Sequence, residues 1–374
     1  MKVLFVANSA WYLSNFRSST LDAFSQRYSV GCMFPEKDDR GLLEKHDVFL
    51  TPFYLDAAST QPLKEIRSLF SLFVRLARVR PDVLFSFNPK TNLYSLIACW
   101  LLRIPCIPNV SGVGVASQLG GLKGWLYHGL AKFYYRRARY VFFQNSQDRE
   151  NFIKSGWVAE SKCEVIPGSG VDLSRYCPAV RTSESPVRFL MAARLLKAKG
   201  VLEFLQASKE LQAIKPCQVE FILAGNIDHS ERGVSEAEIQ AWSQGTGMSY
   251  LGHVSDMSTL LAKVDCVVLP TYYPEGVPRS LIEGAASGKL IITTDMPGCR
   301  DVVSLGETGY LVEPKSVKEL VEAMLKVVSL PAHQRQKMQS MSRALAEERF
   351  DEQIVIDRYL KVARRSAPTS FSLS

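Results

Sequence analysis

Strand-like apolar runs alternate with helical stretches twice along this chain, and this alternation limits its fold more than any other feature. Short apolar runs fit buried strands, and the amphipathic stretches between them fit helices. Such alternation is typical of parallel βα units in a doubly wound sheet. Because the pattern restarts after residue 186, the sequence predicts two Rossmann-like α/β domains of similar size, facing each other across a cleft.

The expected domains are residues 1–178 and 186–350, with a last helix near 351–366 that crosses back to the first domain. Between Pro178 and Pro186 the chain turns polar (VRTSES), which suits an interdomain hinge. The predicted strands are Lys2–Ala7, Tyr28–Phe34, Val83–Phe87, Cys106–Val110, Tyr140–Gln144, Cys163–Pro167, Val187–Ala192, Gln218–Ala224, Met248–Leu251, Asp265–Leu269 and Lys289–Thr293. Predicted helices in the first half lie near Arg17–Arg27, Leu63–Arg78, Thr91–Leu102 and Leu122–Ala138.

The stretch DCVVLPTYYPEGVPRSLIEGAASGKLIITTDMPGCRD (265–301) says most about function. Glu275 and Glu283, with seven residues between them, flank the point where a strand passes into a helix. Ligands of open parallel sheets bind at that edge, and helix N–H groups there attract anions. Two acids beside such a site predict a ligand with both hydroxyls and phosphates, such as a nucleotide sugar.

Arg194 and Lys199 in FLMAARLLKAKG follow another predicted strand of the same sheet. An arginine fork and a lysine point charge are suited to hold a diphosphate and to stabilise the charge that grows on it as it departs. The alternative is an ordinary basic surface loop. The acidic loop from a second strand end favours the functional interpretation.

Glu275 and Glu283 are expected to contact different parts of the ligand. Glu283 would accept hydrogen bonds from ribose hydroxyls, and Glu275 would hold a sugar hydroxyl. The alternative for Glu283 is simple charge complementarity at a helix N-terminus, worth only ~0.3–1 kcal/mol. The sugar or phosphates would also meet the loop and backbone amides around Gly276, Val277, Pro278, Arg279 and Ser280.

The segment RLLKAKG, the glutamate pair and PGCRDVVSLGETGYLVEP together resemble glycosyltransferase family 4 over roughly residues 187–330. The resemblance implies the two-domain GT-B fold, retention of anomeric configuration and no metal. Within it, Glu275, Arg194 and Lys199 would be catalytic, and base contacts would come from Gly225, Asn226, Gly252, His253 and Val254. His253 is interpreted as a loop residue near the base rather than a catalyst.

A second likeness lies in FNPKTNLYSLIACWLLRIPCIPNVSGVG (87–114) and VIPGSGVD (165–172). They resemble enzymes that extend sugars on undecaprenyl diphosphate, such as capsule, O-antigen and N-glycan precursor transferases. The resemblance implies transfer of a hexose or acetylhexosamine from a nucleotide-diphosphate sugar, with UDP favoured, to an undecaprenyl-diphosphate-linked saccharide.

The chain departs from this family at two places. Many relatives have a histidine after the strand that reads CIPNV here; its role would pass to Asn109, Ser111 or Lys90, or to no residue. The glycine-rich first loop is replaced by a segment in which Asn8 and Ser9 offer polar groups. SGVGVASQ, which contains Gly112, lacks a third glycine and is interpreted as a flexible acceptor-side loop, not a dinucleotide site.

Metal and cofactor chemistry is not indicated. The sequence has no Asp-x-Asp, which argues against metal-carboxylate glycosyl transfer, and no cofactor is expected beyond the nucleotide-sugar substrate. The eight cysteines form no Cys-x-x-Cys pair, so they are interpreted as reduced core residues of a cytoplasmic protein.

The net charge of +8 lies entirely in residues 1–180, which hold 22 Lys+Arg and 14 Asp+Glu. The segment LYHGLAKFYYRRARY mixes aromatic residues with Lys132, Arg136, Arg137 and Arg139. Such a helix suits the anionic inner face of the cell membrane; the alternative is that its apolar side packs on the sheet while its basic side is solvated. Nucleic acid is not an expected partner, because no recognition module accompanies the charge.

Two other functions stay open at this point. A nucleotide-sugar epimerase of the same fold would convert donor without an acceptor, and a non-catalytic binding module would not need Glu275.

Overall fold

The computed structural model describes residues 1–56, 59, 61–112, 121–179, 186–243 and 248–366. The chain divides into two compact units: Met1–Ser169 together with the segment that begins at Glu352, and Gly170–Asp351. Residues 170–178, expected in the first domain, belong to the second unit because Val171 N donates to Phe350 O (2.8 Å) and Tyr176 joins that unit's core. Of the predicted hinge, residues 180–185 lie outside the described residues.

The first unit contains a seven-stranded parallel sheet. Its strands are β1 (Lys2–Val6), β2 (Ser29–Pro35), β3 (Phe49–Phe53), β4 (Val83–Phe87), β5 (Cys106–Val110), β6 (Val141–Phe143) and β7 (Cys163–Val165). Their order is β3-β2-β1-β4-β5-β6-β7, with every paired neighbour parallel. Strands buried on both faces explain the near-continuous apolar runs in the sequence.

The second unit contains a six-stranded parallel sheet in the order β10-β9-β8-β11-β12-β13. Its strands are β8 (Val187–Ala192), β9 (Val219–Ala224), β10 (Met248–Tyr250), β11 (Cys266–Leu269), β12 (Leu290–Thr294) and β13 (Gly309–Val312). The predicted fold class, two Rossmann-like doubly wound α/β domains, is confirmed.

Helices cover both faces of these sheets. They are α1 (Ala10–Phe16), α2 (Ser18–Ser25), α3 (Pro62–Val79), α4 (Pro89–Leu102), α5 (Gly121–Tyr135), α6 (Ser146–Lys154), α7 (Val201–Ile214), α8 (Glu236–Ser243), α9 (Met257–Ala262), α10 (Arg279–Ala286), α11 (Val317–Ser329), α12 (Ala332–Arg349) and α13 (Glu352–Ser366). The C-terminal helix α13 packs in the first unit, where the Tyr359 ring contacts Phe85 and Phe142.

Two strands, β3 and β13, were not predicted from the sequence. Both are edge strands. Pro52 interrupts β3, most of whose residues are half-buried, and β13 has only four residues and starts with a glycine. A proline within an apolar run argues against a central strand, so edge strands of this kind are hidden from pattern analysis.

In each sheet the strand order reverses direction once. The reversal lies between β1 and β4 in the first unit and between β8 and β11 in the second. At such a reversal the two following loops leave in opposite directions and open a crevice at the carboxyl ends of the strands, which is where doubly wound sheets bind ligands.

Candidate functional site

The predicted functional residues of the second unit come together at its strand-order reversal. Arg194 and Lys199 lie in the loop after β8, and Glu275 lies in the loop after β11. Because β8 and β11 are neighbours in the sheet, these loops begin at adjacent strand ends. The sequence spacing alone could not show that they touch.

Lys199 and Glu275 form an ion pair across the two loops. Lys199 Nζ lies 2.5 Å from Glu275 Oε2, and the two side chains are only 15% and 16% exposed. Thr271 Oγ1 lies 3.2 Å from both Glu275 Oε1 and Ala198 O. Charges in such a poorly solvated position interact more strongly than surface charges. Both groups are therefore held in place, with a cation and an anion side by side at the sheet edge.

Arg194 differs from Lys199 because its side chain is 59% exposed. Its Nε lies 3.6 Å from Asp228 Oδ2, so it is only loosely held. The Ser230 hydroxyl, which donates a hydrogen bond to Asp228, holds the pKa of that carboxyl below its ordinary value, and Arg194 acts in the same direction. The guanidinium is thus positioned beside the loop yet accessible to an anionic ligand.

Glu283 is nearly buried on α10, with 9% of its surface exposed. Its Oε1 accepts hydrogen bonds from Tyr176 Oη (2.9 Å) and Arg279 Nε (2.7 Å). Burial, and then the charge of Glu283, raise the pKa of Tyr176. Sequence reasoning missed Tyr176, which lies far from the motif and carries no local signal. The proposed contact of Glu283 with ribose stays a prediction.

Three glycines let the loops of this edge approach one another. A side chain at Gly200 (φ +81°) would place Cβ 2.1 Å from Pro270 O, and one at Gly225 would place it 1.8 Å from Ala193 O. At Gly298 (φ +80°) the corresponding distance to Gly276 O is 2.1 Å. Because backbone oxygens cannot yield as side chains do, each position requires glycine. The loops after β8, β9, β11 and β12 are therefore packed backbone to backbone.

The residues expected near the base lie at the same edge. Gly225 N donates to Gly252 O (2.7 Å), and Leu195 N donates to Asn226 O (3.0 Å), which joins the loops after β8, β9 and β10. Asn226 and His253 are exposed there, and Gly252 and Val254 are half-buried.

The loop that precedes α10, which was expected to contact the sugar or phosphates, is largely buried. Gly276, Val277 and Pro278 are buried, and Arg279 and Ser280 are half-buried. Direct contact of this whole segment with a sugar stays a prediction.

No group of three or more His, Cys, Asp or Glu side chains able to hold a metal ion occurs among the described residues. The expectation of metal-independent chemistry stays a prediction. All eight cysteines are free thiols, and burial raises the pKa of several of them, that of Cys299 to about 12. The six buried thiols act as small core residues, whereas Cys177 and Cys217 are exposed, so for these two the expectation of a core position is wrong.

Two predicted acceptor-side residues of the first unit have structural partners. Lys90 Nζ donates to Asp56 O (2.9 Å), Ser59 O (2.7 Å) and Glu65 Oε1 (2.9 Å), which uses its three donors. Asn109 is 1% exposed, and its Nδ2 donates to Tyr359 Oη. An acceptor role for either residue stays a prediction on which no proposal below depends.

The remaining acceptor-side positions lie at strand ends of the first unit. Asn8 N donates to Asn88 Oδ1 (3.2 Å), and Ser9 caps α1 by accepting a hydrogen bond from Tyr12 N. Ser111 is half-buried, and Gly112 is buried with φ +91°. The rest of the predicted acceptor-side loop, residues 113–118, lies outside the described residues.

The four basic residues expected to face a membrane are all exposed, and they lie on α5 or just after it: Lys132, Arg136, Arg137 and Arg139. Large apolar side chains are exposed beside them, here named the outer patch: Trp100, Leu101, Trp125, Leu126, Leu130 and Phe133. The rings of Trp100 and Phe133 lie 6.0 Å apart, which connects α4 with α5. Within the described part of the chain, no helix is long and apolar enough to cross a bilayer.

Two family models match the chain. The model described as "Glycosyl transferases group 1" matches residues 178–344, and the "Glycosyl transferase 4-like domain" matches residues 27–168. The first match contains the Lys199–Glu275 pair and Glu283, and the second contains most of the first unit's sheet.

Characterised relatives match over most of their length. One is N,N'-diacetylbacillosaminyl-diphospho-undecaprenol alpha-1,3-N-acetylgalactosaminyltransferase of Campylobacter jejuni, 27% identical, with 98% of this chain and 99% of the relative covered. Another is UDP-Gal:alpha-D-GlcNAc-diphosphoundecaprenol alpha-1,3-galactosyltransferase of Escherichia coli, 25% identical, with 71% of each covered.

The fold also matches a solved structure, Anabaena Alr3699/HepE in complex with UDP and glucose. The TM-score is 0.78 at 20% identity, and 98% of this chain and 100% of that chain are covered. This likeness shows the fold alone.

Proposed function

Since the chain belongs to glycosyltransferase family 4 and has the GT-B fold, we propose that it moves a hexose or acetylhexosamine from a UDP-sugar to an undecaprenyl-diphosphate-linked saccharide, with retention of configuration. The step belongs to the synthesis of a surface polysaccharide or glycan. The names of the two relatives above support the acceptor class, and both contain a hexose-type transfer.

The observation that carries the proposal is the Lys199–Glu275 ion pair at the strand-order reversal of the second unit. Lys199 and the exposed Arg194 supply two positive charges for a diphosphate, and Glu275 supplies an acceptor for a sugar hydroxyl. Glu283 lies one helix turn beyond the loop for the ribose. Binding of the donor requires no proton transfer to or from these residues. They therefore keep the same charges during the transfer step.

In the proposed reaction, the bond between the anomeric carbon and the diphosphate oxygen breaks as the acceptor hydroxyl approaches from the same face. The acceptor's proton passes to the departing phosphate oxygen, and a new bond forms between the acceptor oxygen and the anomeric carbon with retention. Negative charge grows on the diphosphate during this step. Lys199, already held by Glu275, stabilises that charge without reorganisation and without a metal, and the accessible Arg194 adds a second positive charge.

The outer patch supports a membrane-bound acceptor. Apolar and aromatic side chains together with exposed lysine and arginine are the combination that holds a protein in the interface of an anionic membrane. Each basic residue near such a surface contributes roughly 1 kcal/mol. We therefore propose that the protein is peripherally attached to the inner face of the cell membrane.

Replacing Lys132 and Arg136 with glutamate is expected to weaken binding to anionic liposomes at least about tenfold, because attraction to the lipid headgroups becomes repulsion. The matched control reverses two exposed lysines of the second unit, Lys318→Glu and Lys337→Glu, with the same change in net charge. Liposome co-sedimentation at fixed ionic strength measures both. Equal loss of binding in the two variants would reject a specific membrane face.

One product analysis separates this function from its two alternatives. Candidate UDP-sugars are incubated in EDTA with and without an undecaprenyl-diphosphate-linked saccharide, and products are identified by mass spectrometry. We expect an acceptor one sugar heavier and free UDP, only when the acceptor is present. An isomeric nucleotide sugar formed without acceptor would indicate an epimerase, and donor binding with no product under any condition would indicate a binding module.

A further inference from the structure

A cavity of about 320 Å³ opens in the first unit and is not used by any function described above. Its walls come from the carboxyl ends of three neighbouring strands, since Asn92 follows β4, Gly112 follows β5 and Asp148 follows β6. Its size falls at the lower end of the range of small-molecule sites, about 300–1,000 Å³.

Aromatic rings form one wall of the cavity. The rings of His128 and Trp157 lie 5.6 Å apart, and Tyr127 lies next to His128 at 5.9 Å. Phe152, which also lines the cavity, has its ring 4.7 Å from that of Trp157. Aromatic rings present flat apolar faces, and those that are packed in place cost little conformational entropy when a ligand covers them.

Polar groups line the rest of the cavity, and one of them is unsatisfied. Asn92 is 1% exposed, and its Nδ2 donates to Asn109 O at 2.8 Å. Its Oδ1 has no hydrogen-bond partner among the described residues. A buried acceptor left without a donor is unfavourable. A ligand hydroxyl at this position would remove that cost.

Two further side chains complete the polar set. Asp148 is buried at the start of α6, where its Oδ2 accepts a hydrogen bond from Asn145 Nδ2 (2.9 Å), and burial raises its pKa. Asn151, one turn later, is exposed at the rim. Carboxylate and amide groups that line one cavity together with aromatic rings match a ring-shaped ligand that has hydroxyls on its edge and C–H groups on its face.

Helix α5 connects this cavity with the outer patch. Tyr127, His128 and Tyr135 of α5 line the cavity. Leu126, Leu130 and Phe133, at positions i, i+4 and i+7, form an exposed stripe on the opposite side of the same helix. A ligand with a saccharide part and a lipid part would therefore contact the sugar-sized cavity with its saccharide and the apolar stripe with its lipid, on two sides of α5.

We propose that this cavity binds the saccharide of the lipid-linked acceptor, with a sugar ring on Trp157 and His128 and sugar hydroxyls on Asn92, Asp148 and Asn151. The inference rests on the proposed function and adds to it the part of the first unit that recognises the acceptor. It does not depend on Lys90 or Asn109, whose side chains have partners within the protein.

The test uses the full-length double variant His128→Ala/Asn151→Ala, because both side chains lie at the rim and their loss leaves the core intact. A water-soluble, short-chain analogue of the lipid-linked saccharide serves as acceptor, so membrane binding does not enter. We expect the KM for this acceptor to rise about tenfold, as for the loss of two hydrogen-bonding or stacking contacts. The KM for UDP-sugar should not change.

The matched control is Glu150→Ala, an exposed residue of α6 that pairs with Lys154 and does not line the cavity. It is expected to leave the acceptor KM unchanged. Transfer by the double variant with an unchanged acceptor KM would overturn the cavity assignment while leaving the proposed function intact. A wild-type protein that does not bind UDP-sugars would contradict the proposed function, and the cavity assignment with it.

Discussion

Replacing Lys199 with alanine is expected to lower the turnover of sugar transfer by ~100-fold or more, because the departing diphosphate loses a fixed positive charge. The effect should be large because Lys199 is poorly solvated and already held by Glu275, so no solvent cation takes the place of its ammonium in the same position. Arg194→Ala should lower turnover in the same direction. Steady-state kinetics with saturating donor and acceptor measure both.

The chain supplies a matched control two residues away. Lys197 belongs to the same 3₁₀ turn as Lys199, but its side chain is exposed. Lys197→Ala should therefore change turnover less than about twofold, since exposed charges contribute little. Near-normal turnover in both Lys199→Ala and Arg194→Ala would contradict the assignment of the diphosphate site.

Gly298→Ala is expected to lower turnover about 100-fold, because its new Cβ would lie 2.1 Å from Gly276 O and must push that backbone aside. The displaced segment directly follows Glu275. A misplacement of about 1 Å in groups that position a substrate costs on this order. The change should affect turnover more than the thermal stability of the whole protein, because the displacement begins in a loop.

Gly306 provides the control for this substitution. Its φ of +76° is close to that of Gly298, but a Cβ at this position would meet no atom of the described residues within 4 Å. Gly306→Ala carries the same backbone cost, roughly 1–2 kcal/mol, without the collision. Equal turnover in the two alanine variants would show that the contact between the loops after β11 and β12 does not position the site.

The sequence predicted the fold class because both sheets are parallel and buried, so most strands read as apolar runs between helical patterns. It also predicted which strand ends carry Arg194, Lys199 and Glu275. It could not predict the direct pairing of Lys199 with Glu275, because that contact depends on the order of strands in the sheet. For the same reason Tyr176 was missed as a partner of Glu283.

The first unit was harder to interpret because polar residues at strand ends can serve either structure or function. Lys90 and Asn109 occupy positions expected of ligand contacts, yet their side chains hold neighbouring segments together. Helix α5 gave the opposite difficulty. Its mixture of aromatic and basic residues indicated a membrane face, but the sequence alone did not show that Tyr127 and His128 turn towards a cavity on the other side.

The most direct test of the account is the anomeric configuration of the product. Transfer from an α-linked UDP-sugar to the lipid-linked saccharide is followed by proton NMR, which distinguishes α from β linkages by the coupling of the anomeric proton. We expect an α-linked product, since the acceptor attacks on the face from which the diphosphate leaves. A β-linked product would contradict it.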